Sequence, residues 1–315
     1  MSDKSNKSAI AVRVDHLSHS FGPRVVLNDL TISLPAGQMT ALLGPNGSGK
    51  TTLFRIITTL LRPVKGIVEI FGHDVATNAA AIRGLIGVVF QHPAIDPQLT
   101  AFENLTYHAR LYGVASGEIA PRALACLEQV DLIDRAGDKV KTFSGGMKRR
   151  LEIAKAILPG PRLLLLDEPD TGLDPGARQH LRDLLLRLVR EQGTTVFTTT
   201  HLMEMADVAD RVLLLHQGKM LADGSPGQLC SSIGGDVLTL DVADAESVAV
   251  ELAAQLHLPA RVIENHVRVE MPDVYQQVSR VVERMGTRLN SLSVSRPTLN
   301  DVFLKLTGNG LQSPE

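Results

Sequence analysis

Aromatic residues are scarce in this chain. They make up 3% of its 315 residues, and tryptophan is absent. Proteins that bind bases or sugars by stacking need exposed rings, and this chain has few from which to build such a surface. Charge of one sign is lacking too, because the formal net charge is −2. Without an excess of positive charge, the composition gives no support to electrostatic nucleic-acid binding, and we expect no nucleic-acid partner.

Cysteine and long apolar runs are also in short supply. Cys126 and Cys230 are far apart and form no CxxC pair, which predicts free thiols in a reducing compartment rather than a disulfide or a zinc site. No run reaches the roughly 18 consecutive apolar residues that a membrane span needs. The first residues, MSDKSNKSAIAVRVD, lack the apolar core of a signal peptide. We therefore expect a cytoplasmic location.

The composition that remains is that of a globular protein. Hydrophobic residues form 44% of the chain and charged residues 21%, so one large or two ordinary domains with ample core are expected. Within it, residues 41–61 read ALLGPNGSGKTTLFRIITTLL. The apolar start predicts a short strand at 41–43, the glycine-rich part a loop at 44–50, and the remainder a helix at 51–61.

This strand, loop and helix carry the pattern GxxxxGKT, which is typical of phosphate binding. In such a loop successive backbone N–H groups converge on phosphate oxygens. Lys50 is expected to reach the terminal phosphates, and the Thr51 hydroxyl can ligate magnesium. A turn that matches the pattern by chance is the alternative, and the flanking strand and helix disfavour it.

A second candidate for nucleotide chemistry is RLLLLDEPDTGLDP, at 162–175. The apolar run at 163–166 predicts a parallel strand that is covered on both faces. It ends in Asp167, which can hold magnesium, and Glu168, which is placed to polarise a water for attack on the terminal phosphate. A pair of solvated carboxylates at a strand end is the alternative.

A third motif, FSGGMKRRLEIAKAIL at 143–158, places Ser144 and two glycines before an amphipathic helix. We predict that the helix starts at or just after Gly146. Its first N–H groups, the serine hydroxyl and the bare glycines could together hold an anion. An ordinary N-cap explains the same residues equally well. The basic triplet Lys148, Arg149 and Arg150 is predicted to be a solvated helix face, with lipid headgroups or a partner's acidic loop as alternative contacts.

Together these motifs resemble those of ABC-type ATPases, the nucleotide-binding subunits of ATP-binding cassette transporters. The glycine loop is similar to the family's Walker A, LLLLDEP to its Walker B, and SGGMKRR to its signature. GLDP resembles the D-loop, TTTH the switch histidine, VVFQHP the Q-loop, and HSFG the place of the aromatic that contacts adenine. These seven elements follow in the family's order over about residues 9–225.

The resemblance implies roles for individual residues. It implies ATP and Mg²⁺ as cofactors, with catalytic roles for Glu168, His201, Gln91 and Asp174. The magnesium would be held by Thr51, Gln91 and Asp167. The implied ATP-binding residues are Phe21, Gly44, Pro45, Asn46, Gly47, Ser48, Gly49, Lys50, Thr51 and Thr52.

The signature residues Ser144, Gly145 and Gly146 would contact the ATP held by a second copy, so hydrolysis would require two cassettes. The chain has one of each motif, which implies dimerisation with itself or with a similar subunit, and a homodimer is expected.

The fold class that follows is an α/β P-loop NTPase, with a RecA-like core, an antiparallel β subdomain and a helical subdomain at about 92–160. This nucleotide-binding domain is predicted at 9–225. At 226–315 we predict a small α+β ferredoxin-like domain, because the patterns follow the order βαββαβ. The strands are predicted at 236–242, 260–264, 267–271 and 289–294, and the helices at 246–256 and 274–285.

The signature SGGM and the ending RPTLNDVFLKLTG resemble the daunorubicin-resistance and nodulation-factor exporter type. This implies export through a separate membrane permease, with the subunit peripheral on the inner face of the cell membrane. An importer subunit is one alternative, and a soluble ABC protein of DNA repair or translation is another. The 94 positions from Lys50 to Ser144 are too few for the coiled coil of the repair type, and the single cassette departs from the translation type.

Overall fold

The computed structural model describes residues 10–263 and 265–308. The chain divides into two compact units, the first ending at Leu221 and the second beginning at Ala222. The predicted limits at residues 9 and 315 lie outside the described residues, and the boundary at residue 225 stays a prediction.

Ten strands and seven α-helices are described from Ile10 to Gly224, and the last strand, β10, runs across the boundary at Leu221. The strands are β1 (Ile10–Phe21), β2 (Arg24–Pro35), β3 (Met39–Leu43), β4 (Lys65–Ile70), β5 (His73–Asp74), β6 (Ile86–Val89), β7 (Leu163–Asp167), β8 (Thr195–Thr200), β9 (Arg211–His216) and β10 (Lys219–Gly224). The α-helices are α1 (Lys50–Ile57), α2 (Ala79–Arg83), α3 (Ala101–Leu111), α4 (Ser116–Gln129), α5 (Gly145–Ile157), α6 (Pro175–Gln192) and α7 (Met203–Ala206), with 3₁₀ turns at Ile133–Arg135 and Val140–Thr142.

A six-stranded sheet forms the centre of this unit, in the order β10-β9-β3-β8-β7-β6. Strands β9, β3, β8, β7 and β6 pair in parallel. Every residue of β3, β7 and β8 is buried, which explains why their sequences do not alternate between apolar and polar positions. Because parallel strands point the same way, the loops after β3, β7 and β8 meet at one edge of the sheet.

A second sheet of the first unit is antiparallel, in the order β2-β1-β4-β5. Its buried residues Val12 and Leu30 belong to one apolar cluster with Phe54 of α1 and Leu165 of β7. This cluster therefore joins the antiparallel sheet to the central one and holds the β1–β2 turn in place near the glycine loop.

The helical part differs from the sequence prediction at α4. The stretch GVASGEIAP, at 113–121, predicts a link between two helices, but α4 begins at Ser116 and contains Pro121. Proline removes one helical hydrogen bond. The helix continues because Ile119, Ala123 and Cys126 lie on one buried face, and tertiary packing outweighs local propensity. Helix α1 is shorter than predicted and ends at Ile57.

The second unit consists of α8 (Pro226–Ser231), β11 (Asp236–Val242), α9 (Ala245–Leu256), β12 (Ala260–Ile263), β13 (His266–Met271), α10 (Val278–Met285), β14 (Leu289–Ser295) and α11 (Leu299–Thr307). Its sheet has the order β12-β13-β11-β14, and all described pairs are antiparallel. The predicted βαββαβ pattern is confirmed, although Glu264 lies outside the described residues. The predicted helix at 274–285 begins as a 3₁₀ turn, Val274–Gln277, and becomes α-helical at Val278.

Candidate functional site

The glycine loop between β3 and α1 is fixed by close backbone packing. A Cβ atom on Gly44 would lie 2.2 Å from the Leu215 carbonyl oxygen, so no side chain fits there. Gly49 has a φ of 108°, and its Cβ would lie 2.7 Å from Cδ2 of Leu27. Glycine meets both requirements without strain. The loop consequently lies against the ends of neighbouring strands, and α1 starts at Lys50.

A cavity of about 320 Å³ opens beside this loop. Phe21, at the end of β1, stands at its rim with 49% of its surface exposed and packs edge-on against His19. The described residues that line the cavity are Phe21, Arg24, Val26, Asn46, Gly47, Gly49, Lys50, Thr51, Thr52 and Glu168. An apolar ring, backbone N–H groups and a buried cation thus surround one space.

Lys50 brings the positive charge of the site. It is 4% exposed, and its Nζ donates to the carbonyl oxygens of Gly44 at 2.8 Å and Pro45 at 3.1 Å. Oε1 of Glu168 lies 3.4 Å from the same Nζ. Burial lowers the pKa of Lys50, and the neighbouring Glu168 carboxylate opposes that shift.

Glu168 occupies a strained backbone position directly after β7. Its φ is 45°, a left-handed conformation that non-glycine residues rarely adopt. Its backbone N–H donates to the Thr199 carbonyl oxygen at 3.1 Å and to Thr199 Oγ1 at 3.0 Å. His201 Nδ1 lies 3.5 Å from Glu168 Oε2. The carboxylate therefore stands between the buried lysine and the histidine that follows β8, and the strain is stored where chemistry would use it.

Asp167 and Asp170 flank Glu168 and depend on β8. Thr199 Oγ1 donates to Asp167 Oδ1 at 2.6 Å, and Thr200 Oγ1 donates to Asp170 Oδ2 at 2.8 Å. Burial raises the pKa of both carboxyl groups, and the hydroxyl bonds counteract it. Asp170 is 1% exposed and was not among the residues predicted from the sequence. The polar TTT run inside a buried strand was the signal, because buried hydroxyl groups need partners.

The donor set suits a nucleotide phosphate with a hard cation. Ser48 Oγ is buried and has no hydrogen-bond partner among the described residues. Such an orphan is costly unless a ligand completes it. Asp167 and Thr51 supply the oxygen atoms that Mg²⁺ prefers, so the residues present fit both groups.

The remaining predicted residues lie at helix and strand ends outside the cavity lining. Ser144 is the N-cap of α5, and its Oγ accepts from the Met147 N–H at 3.2 Å. Asp174 is the N-cap of α6, and its Oδ1 accepts from the Ala177 N–H at 2.9 Å. Gly145 is exposed, and Gly146 packs against Ala177. Within one chain, the signature and the glycine loop are thus separate places.

Gln91 also stands outside that lining. It is exposed and follows the end of β6. The described pairing of β6 with β7 ends at Val89 and Leu166, two residues before Gln91 and Glu168 respectively. Both side chains therefore leave neighbouring strands at the same edge of the sheet.

Comparisons with known proteins agree with this geometry. A family model described as ABC transporter matches residues 27–171. The daunorubicin resistance ATP-binding protein DrrA3 of Streptomyces coeruleorubidus is 36% identical, covering 95% of this chain and 96% of its own length. The chain belongs to the ABC transporter family. A second relative of this ABC ATPase, the Nod factor export ATP-binding protein I of Bradyrhizobium diazoefficiens, is 35% identical, covering 98% of this chain and 99% of its own.

A solved structure supports the same fold for the ABC ATPase. The ATP-binding cassette MJ0796, in a dimeric post-hydrolysis state bound to ADP and Pi, has a TM-score of 0.61 and 29% identity. The match covers 68% of this chain and 98% of that one. As an ABC ATPase, the chain binds ATP, and its hydrolysis of ATP drives transport as part of a transporter complex. None of the helices in the described ranges has the length and apolarity needed to cross a bilayer.

One sequence interpretation of the ABC ATPase is wrong. The basic triplet after the signature was predicted to be a solvated face, but Arg149 is buried. Arg150 is half-buried and donates to the Val130 carbonyl oxygen at 3.0 Å. The period of α5 turns Arg149 inward, and its charge is tolerated there because the buried Glu152 carboxylate and two backbone carbonyl oxygens accept its hydrogen bonds.

Proposed function

We propose that this ABC ATPase hydrolyses ATP in a head-to-tail dimer and so energises export through a separate membrane permease. The observation that carries the proposal is the Glu168 carboxylate, which lies 3.4 Å from Lys50 Nζ and 3.5 Å from His201 Nδ1 at the end of the glycine loop. A carboxylate, a cation and an imidazole then surround the place where a terminal phosphate would be attacked.

ATP binding is assigned to the cavity beside the loop. The Phe21 ring stacks on the adenine, and Ser48 donates its orphan hydroxyl to a phosphate oxygen. Lys50 exchanges its carbonyl contacts for the terminal phosphates, which removes the cost of its burial. The other residues of this group are Gly44, Pro45, Asn46, Gly47, Gly49, Thr51 and Thr52.

Hydrolysis is assigned to the residues at the ends of β7 and β8. Glu168 accepts a proton from the attacking water or orients it, and His201 orients the terminal phosphate. Thr51, Gln91 and Asp167 hold Mg²⁺, which when bound neutralises charge on the phosphates. Thr199 keeps Asp167 oriented for that role through its hydroxyl bond.

The second protomer contributes the signature. Ser144 Oγ accepts a bond from its own helix, and a hydroxyl carries one donor beyond its acceptor sites. The Ser144 O–H, the adjacent N–H groups of Gly145 and Gly146, and the helix dipole then face the terminal phosphate of the partner's ATP. Asp174 couples the two protomers of the dimer. A homodimer supplies two complete sites, since one chain carries every motif.

The exporter relatives support the proposal of export. The names of two relatives refer to daunorubicin resistance and to Nod factor export, and the match spans nearly all of this chain. We propose that the subunit is cytoplasmic and is held on the inner face of the membrane by its permease. Its nucleotide-binding domain is taken as residues 9–225 and its C-terminal domain as 226–315.

The solution mass of the Glu168→Gln chain tests the dimer. Without ATP the monomer is expected, and with ATP and magnesium the dimer. Adding Ser144→Ala should abolish the ATP-dependent dimer. Ser225→Ala is the matched control, because Ser225 also caps a helix, α8, by accepting an N–H, and its loss should leave dimerisation intact. A Glu168→Gln chain that binds ATP and stays monomeric would contradict the proposal.

A further inference from the structure

Three charged residues form a ladder along one face of α5. Arg149, Glu152 and Lys155 are spaced three residues apart, so each is a neighbour of the next on the helix surface. Arg149 and Glu152 are 7% and 5% exposed, and Arg149 Nη1 lies 3.0 Å from Glu152 Oε2. Charged side chains are rarely this buried unless they are paired with other groups.

The partner of this ladder is the backbone that follows β6. Arg149 Nη1 donates to the Phe90 carbonyl oxygen at 2.8 Å, and its Nη2 donates to that of Gln91 at 3.3 Å. Glu152 Oε1 accepts from the Ala94 N–H at 2.8 Å, and Lys155 Nζ donates to the Ala94 carbonyl oxygen. The ladder therefore holds the segment 90–94 at both of its ends.

Apolar contacts could attach this loop to the helix at lower cost, since buried charges lose their hydration. What the charges add is direction, because a guanidinium fork binds two acceptors in one fixed geometry. The atoms that it fixes are the carbonyls on either side of the Gln91 backbone N–H. Gln91 leaves the sheet at the edge from which Glu168 also emerges.

We infer that Arg149 is a positioning residue for hydrolysis, which holds Gln91 toward the phosphate and magnesium site by gripping the carbonyls of Phe90 and Gln91. Glu152 and Lys155 hold the same segment at Ala94. The inference rests on the role proposed above for Gln91. Because α5 begins at the signature Ser144, the ladder also ties the Gln91 segment to the helix that reaches the partner's ATP.

The inference is tested by comparing Arg149→Met with the same change at the neighbouring arginine, Arg150. We expect turnover to fall about tenfold while ATP affinity stays within about twofold, the pattern of a lost transition-state contact. Arg150→Met is the matched control. Its guanidinium serves the carbonyls of Val130 and Asp131 instead, so both quantities should stay within about twofold.

A double-mutant cycle separates positioning from mere structure. In a Gln91→Ala background, Arg149→Met should lower turnover by less than about twofold, because the group that it positions is gone. A full tenfold loss in that background, or no loss in the wild-type background, overturns the inference and leaves the role of Gln91 standing. If Gln91→Ala alone hydrolyses ATP at the wild-type rate, both the inference about Arg149 and the proposed role of Gln91 are wrong.

Hydrogen exchange of the nucleotide-free chain gives a readout that does not depend on activity. Amides of the segment 90–94 should exchange about tenfold faster in Arg149→Met than in Arg150→Met. Equal exchange overturns the inference. If Arg149→Met does not fold, Arg149→Met with Glu152→Met leaves no lone buried charge, and the same measurements apply to it.

Discussion

Two buried carboxylates, one in each unit, illustrate how differently the units use charge. Asp301 in the second unit accepts from the Thr298 N–H, from Thr298 Oγ1 and from Arg268, all within that unit. Asp170 in the first unit accepts from Thr200, and its Oδ1 has no partner among the described residues. A satisfied buried carboxylate stabilises a fold, whereas an unsatisfied one beside Glu168 and His201 marks a place built for further bonds.

The largest expected effect is the loss of turnover in Glu168→Gln. The amide keeps the size of the side chain and removes its basicity, so phosphate release should fall about a thousandfold. Turnover is scored per folded molecule, because the change also leaves the buried Lys50 without its charged neighbour. Glu251→Gln, at a half-buried glutamate of the second unit that pairs with Arg284, should leave turnover unchanged. If Glu168→Gln hydrolyses ATP at more than a tenth of the wild-type rate, Glu168 does not have the proposed role in activating the water.

Breaking the ion pair between Arg268 and Asp301 should have the converse effect. Arg268→Met leaves Asp301 buried without its cation, so the free energy of unfolding of the second unit should fall by about 3 kcal/mol. Urea unfolding measures this, and turnover per folded molecule should not change. Adding Asp301→Asn should restore part of the stability because no lone charge remains. Lost turnover at unchanged stability would show that this pair serves the reaction after all.

Gly44→Ala is expected to have a smaller effect, confined to the first unit. Its Cβ would collide with the Leu215 carbonyl oxygen, which is backbone and cannot rotate away. The loop must shift, and ATP affinity should fall about tenfold in a titration. Gly117→Ala in α4 is the matched control, because a Cβ there meets open space. Equal affinities of the two variants would argue against close packing of the loop.

The smallest effect concerns pH. Burial, with a minor contribution from Lys155, lowers the pKa of His108 from 6.5 to about 4. The unfolded chain therefore binds the proton first, and the stability from neutral His108 is present above pH 6.5 and is lost as pH falls toward about 4. The melting midpoint of His108→Gln should depend less on pH across that window. An identical pH dependence would show that His108 remains solvated.

The sequence predicted the elements of the site better than their limits. Lys50 and Glu168 come together at one cavity, as expected from parallel strands whose ends share an edge, and Phe21 of the antiparallel sheet lines the same cavity. The end of α1 and the start of α4 were misjudged, since burial of Ile119 and Ala123 decides whether a helix passes through Pro121. The burial of Arg149 was not predicted, because the sequence does not show whether a basic side chain is hydrated or hydrogen-bonded to a carbonyl oxygen.

Glycine positions, apolar periods and strand-end carboxylates are local properties of the chain, so the motifs and the order of the elements could be predicted from them. Which polar groups meet depends on how the whole chain folds. Thr200 and Asp170 are 30 residues apart, and Arg149 meets the Gln91 carbonyl across 58 residues. Hydrogen bonds depend on distance and direction in space, and neither quantity can be read from spacing along a chain.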